Sequence, residues 1–250
     1  MTLAPTVIAT SLKMYFGLQQ TLAWVEEIAS LKIAEDAELI VVPSFLAIPA
    51  VVDRVAGLRI GVGGQNLYPE DAGAFTGEVS GAQLREIGCG FVEVGHAERE
   101  RLFGESEADV AAKIAAAWRN DLTPLLCIGE SEPDDEQTAA AWCSDKLTRL
   151  LDAAGPHTGD VIVAYEPVWA IGAQSAASID HVATVAAALR RTLAERDGLG
   201  DTRIIYGGSA GVGLLSQLGD AVDGLFLGRF AHDSKALGSI LGERSAIARH

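Results

Sequence analysis

Short runs of apolar and β-branched residues recur along the chain, and each is followed by a longer stretch whose apolar positions have helical spacing. Glycine, proline and small polar residues bound the short runs, as is usual for β-strands. Eight candidate strands begin near Thr6, Leu39, Arg59, Gly90, Leu122, Val161, Arg203 and Gly224. Between them, amphipathic helices are predicted over residues 20–32, 107–119, 136–153 and 179–196. The chain therefore alternates strand and helix from end to end.

This alternation favours parallel pairing, because parallel strands need a long crossover connection. The candidate strands are apolar almost without interruption, which is typical of a sheet covered on both faces. Eight units in 250 residues give about 31 residues per unit, the repeat expected of a barrel of ordinary size. No linker or charge run divides the chain. We predict an α/β fold, a single (β/α)8 TIM barrel formed as one domain over residues 1–250, in preference to an open doubly wound sheet.

Composition narrows the class of protein. Hydrophobic residues make up 49% of the chain, too large a share for a disordered protein. The 34 acidic and 19 basic residues leave a formal net charge of −15, and nucleic-acid binding needs clustered basic residues instead. The three cysteines show no Cys-x-x-Cys spacing and the histidines are scattered, so reduced thiols and no metal site are expected. Without a long apolar run or signal peptide, we expect a cytoplasmic protein with no membrane partner.

Polar residues that follow the candidate strands are the candidate site residues, because barrel chemistry takes place at the carboxyl ends of the strands. Lys13 follows the first strand, His96 the fourth and Glu166 the sixth. A carboxylate directly after a buried strand is costly unless it is paired or functional. An imidazole at a helix N-terminus stays neutral and can donate a hydrogen bond. Glu98 and Arg99 are expected to form a supporting ion pair.

The loops after the last three strands suggest a closing segment and an anion site. Residues 167–177, which we call the lid segment, combine apolar residues with proline and glycine, as suits a lid that excludes water. The seventh strand ends in Gly-Gly-Ser at 207–209 and the eighth in Gly228-Arg229. Loops after strands seven and eight form the commonest phosphate site of such barrels.

One carboxylate base, one imidazole donor, one lysine and a phosphate site suit proton abstraction beside a carbonyl through an enediolate, without a cofactor. A retaining glycosidase would need a second carboxylate close to the first, and a Schiff-base aldolase would place its lysine deeper in a strand. A different class, a catalytically silent sugar-phosphate sensor or structural barrel, would keep the phosphate loops but lose the base or the imidazole. All three groups are present.

Several segments of the chain resemble the triosephosphate isomerase family. The most specific is Tyr-Glu-Pro-Val-Trp-Ala-Ile-Gly at 165–172, and the others lie at residues 12–14, 65–66, 73–78, 95–96, 127–130 and 206–209. The resemblance implies that Glu166 is the base, that His96 is the electrophile and that Lys13 supplies positive charge to the bound anion. It also implies that the phosphate receives backbone N–H groups from Gly172, Ser209 and Gly228.

The resemblance further implies a homodimer in which a loop carrying Phe75 and Thr76 inserts into the neighbouring subunit. Gln65 and Asn66 are expected to help the same interface. Supporting positions without a chemical role are Cys127, Glu130, Arg99 and Lys113. The histidines outside the site, among them His181, are expected at surface or loop positions.

The chain departs from the family pattern around the substrate. Ser11 stands where the family usually has asparagine, which removes an amide donor beside the substrate oxygens, and Arg229 places a cation near the phosphate loop where glycine is usual. Changed pocket volume with a retained base predicts the same chemistry on another phosphorylated ketose. The family includes a branch that converts L-erythrulose 1-phosphate to D-erythrulose 4-phosphate, and Ser-Leu-Lys-Met-Tyr at 11–15 resembles it. The alternative is a divergent triosephosphate isomerase acting on D-glyceraldehyde 3-phosphate and dihydroxyacetone phosphate.

Overall fold

The computed structural model describes residues 2–156 and 159–247. Eight parallel strands form a closed barrel in sequence order, with the last strand paired to the first. The strands are β1 (Thr6–Ser11), β2 (Ala37–Val42), β3 (Ile60–Gly64), β4 (Phe91–Val94), β5 (Thr123–Ile128), β6 (Val161–Tyr165), β7 (Thr202–Tyr206) and β8 (Gly224–Leu227). The predicted (β/α)8 barrel is confirmed.

Helices surround the barrel. They are α1 (Leu18–Ala29), α2 (Ile48–Val55), α3 (Gly81–Glu86), α4 (Ala97–Phe103), α5 (Glu107–Arg119), α6 (Glu136–Ala154), α7 (Ile179–Ala194), α8 (Leu214–Leu218) and α9 (Ser234–Ile247). Short 3-10 turns lie at Phe45–Ala47, Val168–Ala170, Gly219–Ala221 and Arg229–His232. The helix predicted over 107–119 has those bounds, because Ser106 and Asp109 form a capping box at its start. None of the described helices is long and apolar enough to cross a membrane.

Alternation along each strand divides the core into two layers, because successive side chains point to opposite faces of the sheet. One set fills the barrel interior and includes Val7, Ile40, Phe91 and Ile162. The other set packs between the barrel and its helices. Both faces of every strand are thus covered, which explains the nearly continuous apolar runs in the sequence. The polar side chains needed for chemistry are left to the last inward positions and the loops beyond them.

Candidate active site

Lys13 lies just beyond β1 in a left-handed backbone conformation, with a φ of 48°. Its Nζ donates to Glu98 Oε1 at 2.8 Å, and the Gln65 amide donates to the Lys13 carbonyl at 2.9 Å. Burial acts to lower the pKa of Lys13, but the hydrogen bond and charge of Glu98 outweigh it and the pKa is raised. The ammonium is therefore a fixed positive charge at the rim of the barrel. Glu98 pairs with Lys13 and not with Arg99, so the predicted ion pair is wrong.

His96 is the N-cap residue of α4 and is 4% exposed. Its Nδ1 accepts the backbone N–H of Glu98 at 3.1 Å, so the neutral ring carries its proton on Nε2. Burial, followed by the charge of Lys13, lowers the pKa of His96 to about 4. The imidazole is neutral at physiological pH, with its Nε2–H facing Glu166 Oε2 at 3.7 Å. This is the donor geometry expected from its place at a helix N-terminus.

Glu166 follows β6 and is 7% exposed. Burial, with the nearby charge of Glu93 second, raises the pKa of Glu166 to about 8. Two glycines hold this residue closely: an added Cβ at Gly207 would lie 2.5 Å from Glu166 Cγ, and an added Cβ at Gly129 would overlap its backbone carbonyl. A buried carboxylate of raised pKa beside a neutral imidazole is suited to accepting a proton from carbon.

All eight predicted site residues line one cavity of about 910 Å³ at the carboxyl ends of the strands. That volume is in the usual range for small-molecule sites. The residues are Ser11, Lys13, His96, Glu166, Gly172, Ser209, Gly228 and Arg229.

The lid segment is tied to the barrel at both ends. Trp169 Nε1 donates to Glu130 Oε1 at 2.8 Å, and the backbone N–H of Ala177 donates to the Tyr206 hydroxyl at 2.9 Å. In the middle, the Ser209 hydroxyl donates to the carbonyls of Ala170 and Ala173 at 2.7 and 3.0 Å. These hydrogen bonds hold the lid segment over the cavity, and the Ser209 side chain is one of the groups that hold it.

The loops after β7 and β8 form the other side of the cavity. Gly228 is exposed there, and Arg229 begins a 3-10 turn with its guanidinium 5.9 Å from the ring centre of Tyr15. No carboxylate among the described residues pairs with Arg229 within 4.0 Å. The Arg229 cation therefore lines the cavity without a carboxylate partner among the described residues.

Glu93 borders this site next to His96 without lining the cavity itself, and it is absent from the predicted residues. It is on β4, is 4% exposed, and places Oε1 4.0 Å from His96 Nε2. Burial raises the pKa of Glu93 to about 7, although Ser11 and Lys13 act to lower it. The sequence does carry a signal for Glu93: it is a carboxylate inside the otherwise apolar run Phe-Val-Glu-Val, three residues before His96.

The chain is similar to known proteins along most of its length. Residues 6–244 match the family described as triosephosphate isomerase. The chain belongs to the triosephosphate isomerase family. An L-erythrulose-1-phosphate isomerase from Pectobacterium atrosepticum is 50% identical over 251 residues, covering 96% of each chain. Triosephosphate isomerases from Chloroflexus aurantiacus and Moorella thermoacetica are 42% and 38% identical, covering 81% and 94% of this chain and 84% and 97% of theirs. Membership of the triosephosphate isomerase family confirms the prediction of a sugar-phosphate isomerase.

The supporting positions that the family resemblance implied are buried or paired within the chain. Lys113 bonds both Asn66 and Glu105, and Arg99 Nε donates to Glu105 at 3.0 Å. Gln65 braces the loops after β1 and β2 through the carbonyls of Lys13 and Val42. Gln65 and Asn66 are therefore hydrogen-bonded within the chain. Their place in a dimer interface of the triosephosphate isomerase type stays a prediction.

His181 was expected at the surface, and that expectation is wrong. It is 6% exposed on α7, and its Nε2 lies 3.2 Å from Glu130 Oε1 and 3.0 Å from the Tyr165 hydroxyl. Glu130 also accepts from Trp169, so this buried cluster holds the start of the lid segment. His157 and His250 lie outside the described residues.

Proposed function

We propose that this protein isomerises a phosphorylated ketose by moving a proton between adjacent carbons through an enediolate. The observation that carries the proposal is the convergence of Glu166, His96 Nε2 and Lys13 in one cavity. A buried carboxylate supplies the base, a neutral imidazole donates to substrate oxygen, and the ammonium stabilises negative charge as it develops. The reaction consumes no oxidant or reductant, because the carbonyl and hydroxyl only exchange places.

The proposed substrate is L-erythrulose 1-phosphate and the product is D-erythrulose 4-phosphate. Glu166 takes the proton from C3, the carbonyl electrons move to the C2 oxygen, and His96 transfers a proton between the C2 and C3 oxygens. Glu166 then returns a proton to C2, which leaves the ketone at C3. Numbered from its other end, the molecule is a 4-phosphate. This choice of substrate is supported by the 50% identity with the L-erythrulose-1-phosphate isomerase.

The phosphate group is proposed to lie between the lid segment and the loops after β7 and β8. Gly172, Ser209, Gly228 and Arg229 line the cavity there, and the proposal is that the first three offer backbone N–H groups to the phosphate while Arg229 adds a cation. A phosphate so placed sets the reacting carbons over Glu166 and His96. The second candidate is the triose reaction, which the identities of 42% and 38% with triosephosphate isomerases favour.

The test is turnover of L-erythrulose 1-phosphate and D-glyceraldehyde 3-phosphate, compared side by side as kcat/KM with the same enzyme. In heavy water the tetrulose product should carry deuterium at the carbon that receives the proton. A preference for the tetrulose with this labelling supports the proposal. A preference for the triose assigns the second candidate, and turnover of neither contradicts an isomerase of either kind.

We also propose a homodimer in which the loop carrying Phe75 and Thr76 meets a second copy of the chain. Loops after three neighbouring strands expose apolar side chains: Met14 is 95% exposed, Leu46 86% and Phe75 38%. Exposed apolar groups concentrated in adjoining loops are typical of an interface.

Sedimentation of the wild type should give twice the mass of one chain. Thr76→Arg should shift the protein to single chains, whereas Gln137→Arg, at an exposed position of α6, should leave the mass unchanged. A single-chain wild type would contradict the dimer. For the location, the free thiols of Cys89, Cys127 and Cys143 suit a reducing compartment, and we propose the cytoplasm.

A further inference from the structure

Buried oxygen atoms without hydrogen-bond partners are concentrated in the candidate active site. Of the five such oxygens among the described residues, three are Ser11 Oγ, Glu93 Oε2 and Glu166 Oε2, and the other two, Thr10 Oγ1 and Glu105 Oε2, lie elsewhere. Leaving a buried polar group unpaired costs free energy, so each such group needs a reason. Glu166 has one as the proposed base. Ser11 and Glu93 are 3% and 4% exposed, and the proposed proton transfers use neither of them.

The position of Glu93 in the barrel shows which part of a substrate it would meet. In a ring of eight strands β4 lies across from β8. The proposed phosphate site lies at the loops after β7 and β8, so a bound chain molecule extends from there toward β4. His96 Nε2 is 3.7 Å from Glu166 Oε2 and 4.0 Å from Glu93 Oε1. A substrate that contacts His96 therefore has its far end within reach of Glu93.

We propose that Glu93, with Ser11 beside it, binds the terminal hydroxyl of a four-carbon ketose phosphate and so selects tetrulose over triose phosphates. The inference rests on the proposed function. In L-erythrulose 1-phosphate the carbon that loses its proton carries a hydroxymethyl group on the side away from the phosphate. That hydroxyl donates to Glu93 Oε2, which has no partner within hydrogen-bond geometry, and lies near Ser11, whose hydroxyl already faces the Glu93 carboxylate and acts to lower its pKa. No bond is made or broken at this subsite.

A triose phosphate has no such hydroxyl and would leave Glu93 Oε2 with no ligand donor, so that Ser11 would be its one polar neighbour on β1. A site built to bond a hydroxyl strongly disfavours the analogue that lacks it, because buried polar groups then have no partner. Glu93 and Ser11 are therefore expected to act on specificity, while Glu166 and His96 act on the transfer of the proton.

The experiment compares three substrates: L-erythrulose 1-phosphate, its 4-deoxy analogue, in which a methyl group replaces the hydroxymethyl group, and D-glyceraldehyde 3-phosphate. For the wild type, loss of the hydroxyl should lower kcat/KM by about 10- to 100-fold, the range for a hydrogen bond to a charged group. In Glu93→Leu, which keeps the volume and removes the carboxylate, the same loss should cost less than about three-fold. The loss in Glu93→Gln should fall between these limits.

Glu38→Gln is the matched control, since Glu38 is an inward residue of β2 whose pKa is also raised by burial. It lies at the opposite end of the barrel and should change no substrate preference. The Glu93→Leu variant should unfold at the same or a higher temperature, because an unpaired buried carboxylate is removed.

Two results would overturn the inference. If the Glu93 variants retain the full preference for the hydroxyl, or lose activity equally on all three substrates, then Glu93 does not bind the hydroxyl. If the wild type turns over the triose and neither tetrulose, the proposed substrate fails and the subsite fails with it. The wild-type measurement alone separates these two cases.

Discussion

Gly207 is the position at which a single methyl group would displace the proposed base. An alanine Cβ there would lie 2.5 Å from Glu166 Cγ, 2.7 Å from Oε1 and 2.9 Å from Cδ. Ordinary contact of a Cβ begins near 3.4 Å, so the carboxylate side chain must shift by about 0.9 Å. The backbone of Gly207 has no positive φ, so an alanine is itself unstrained. The perturbation therefore falls on the position of Glu166.

A misplacement of about 1 Å in a reacting group costs about 100-fold in rate, which corresponds to about 2.7 kcal/mol of transition-state stabilisation. We expect Gly207→Ala to lower kcat by about that factor. KM should change by less than about three-fold, because the proposed phosphate contacts at Gly172 and Gly228 are left in place. The obstructing atoms belong to a movable side chain, so the free energy of unfolding should change by less than about 1.5 kcal/mol.

The assay is steady-state isomerisation with the preferred substrate, together with thermal unfolding of the same preparations. Gly90→Ala is the matched control, since an added Cβ there meets no atom within 4 Å. Wild-type kcat in Gly207→Ala would refute the placement of the base against β7. A loss of stability large enough to explain the lost activity would refute the view that only the base has moved.

Three further predictions follow from the same geometry. Glu166→Asp should lower kcat by about 1,000-fold, because the shortened carboxylate no longer reaches the carbon acid, while inhibition by inorganic phosphate is retained; unchanged turnover would exclude Glu166 as the base. The value of kcat/KM should rise with pH through about 7 to 8, where Glu93 and Glu166 ionise as a pair. The other titratable groups that face this pair are Lys13, His96, Cys127 and Glu98. Glu93→Gln should move the rise in kcat/KM to lower pH, because removing a neighbouring negative charge lowers the pKa of Glu166. A rise that stays at the same pH would contradict the coupling. Glu130→Gln should lower the free energy of unfolding by about 3 kcal/mol, because one of the two buried oxygens that accept from Tyr165, Trp169 and Cys143 becomes an NH2 donor facing those donors. Trp169 fluorescence should report a loosened lid segment; an unchanged spectrum and stability would contradict the role of Glu130 as an anchor.

The fold could be predicted from the sequence because the barrel imposes a strong local pattern. Strands buried on both faces must be apolar throughout, and the helices between them must present one apolar face. These constraints act residue by residue, so the eight strands and the start of α5 at its capping box could be found without tertiary information. The site followed from one further rule, that the groups beyond the strand ends meet on one face. Lys13, His96 and Glu166 lie together for this reason.

The hydrogen-bond partners of individual polar side chains could not be predicted, because they depend on distances that only the folded chain sets. Glu98 is next to Arg99 in sequence but bonds Lys13, 85 positions away, because α4 projects it across the rim of the barrel. His181 lies in a helix whose sequence gives no sign of Glu130 packing against it. In both cases, a polar side chain that was expected to pair with a sequence neighbour or to face solvent is instead hydrogen-bonded to residues that are distant in the sequence.

Glu93 differs from those cases because its signal was present in the strand itself. A carboxylate among Phe91, Val92 and Val94 breaks the apolar rule that identified the strand, and a break of that kind marks functional positions. The positions at the carboxyl ends of the strands also differ in character: glycine follows β7 at 207 and β8 at 228, while Ser11 and Glu93 bring polar atoms to β1 and β4. Since Ser11 and Glu93 take no part in the proposed proton transfer, the binding of the substrate's far end can be changed at these two residues while Glu166 and His96 are kept. We therefore expect a change of substrate on this barrel to need few residues, and we expect them to be the buried polar ones that the proposed proton transfer leaves unused.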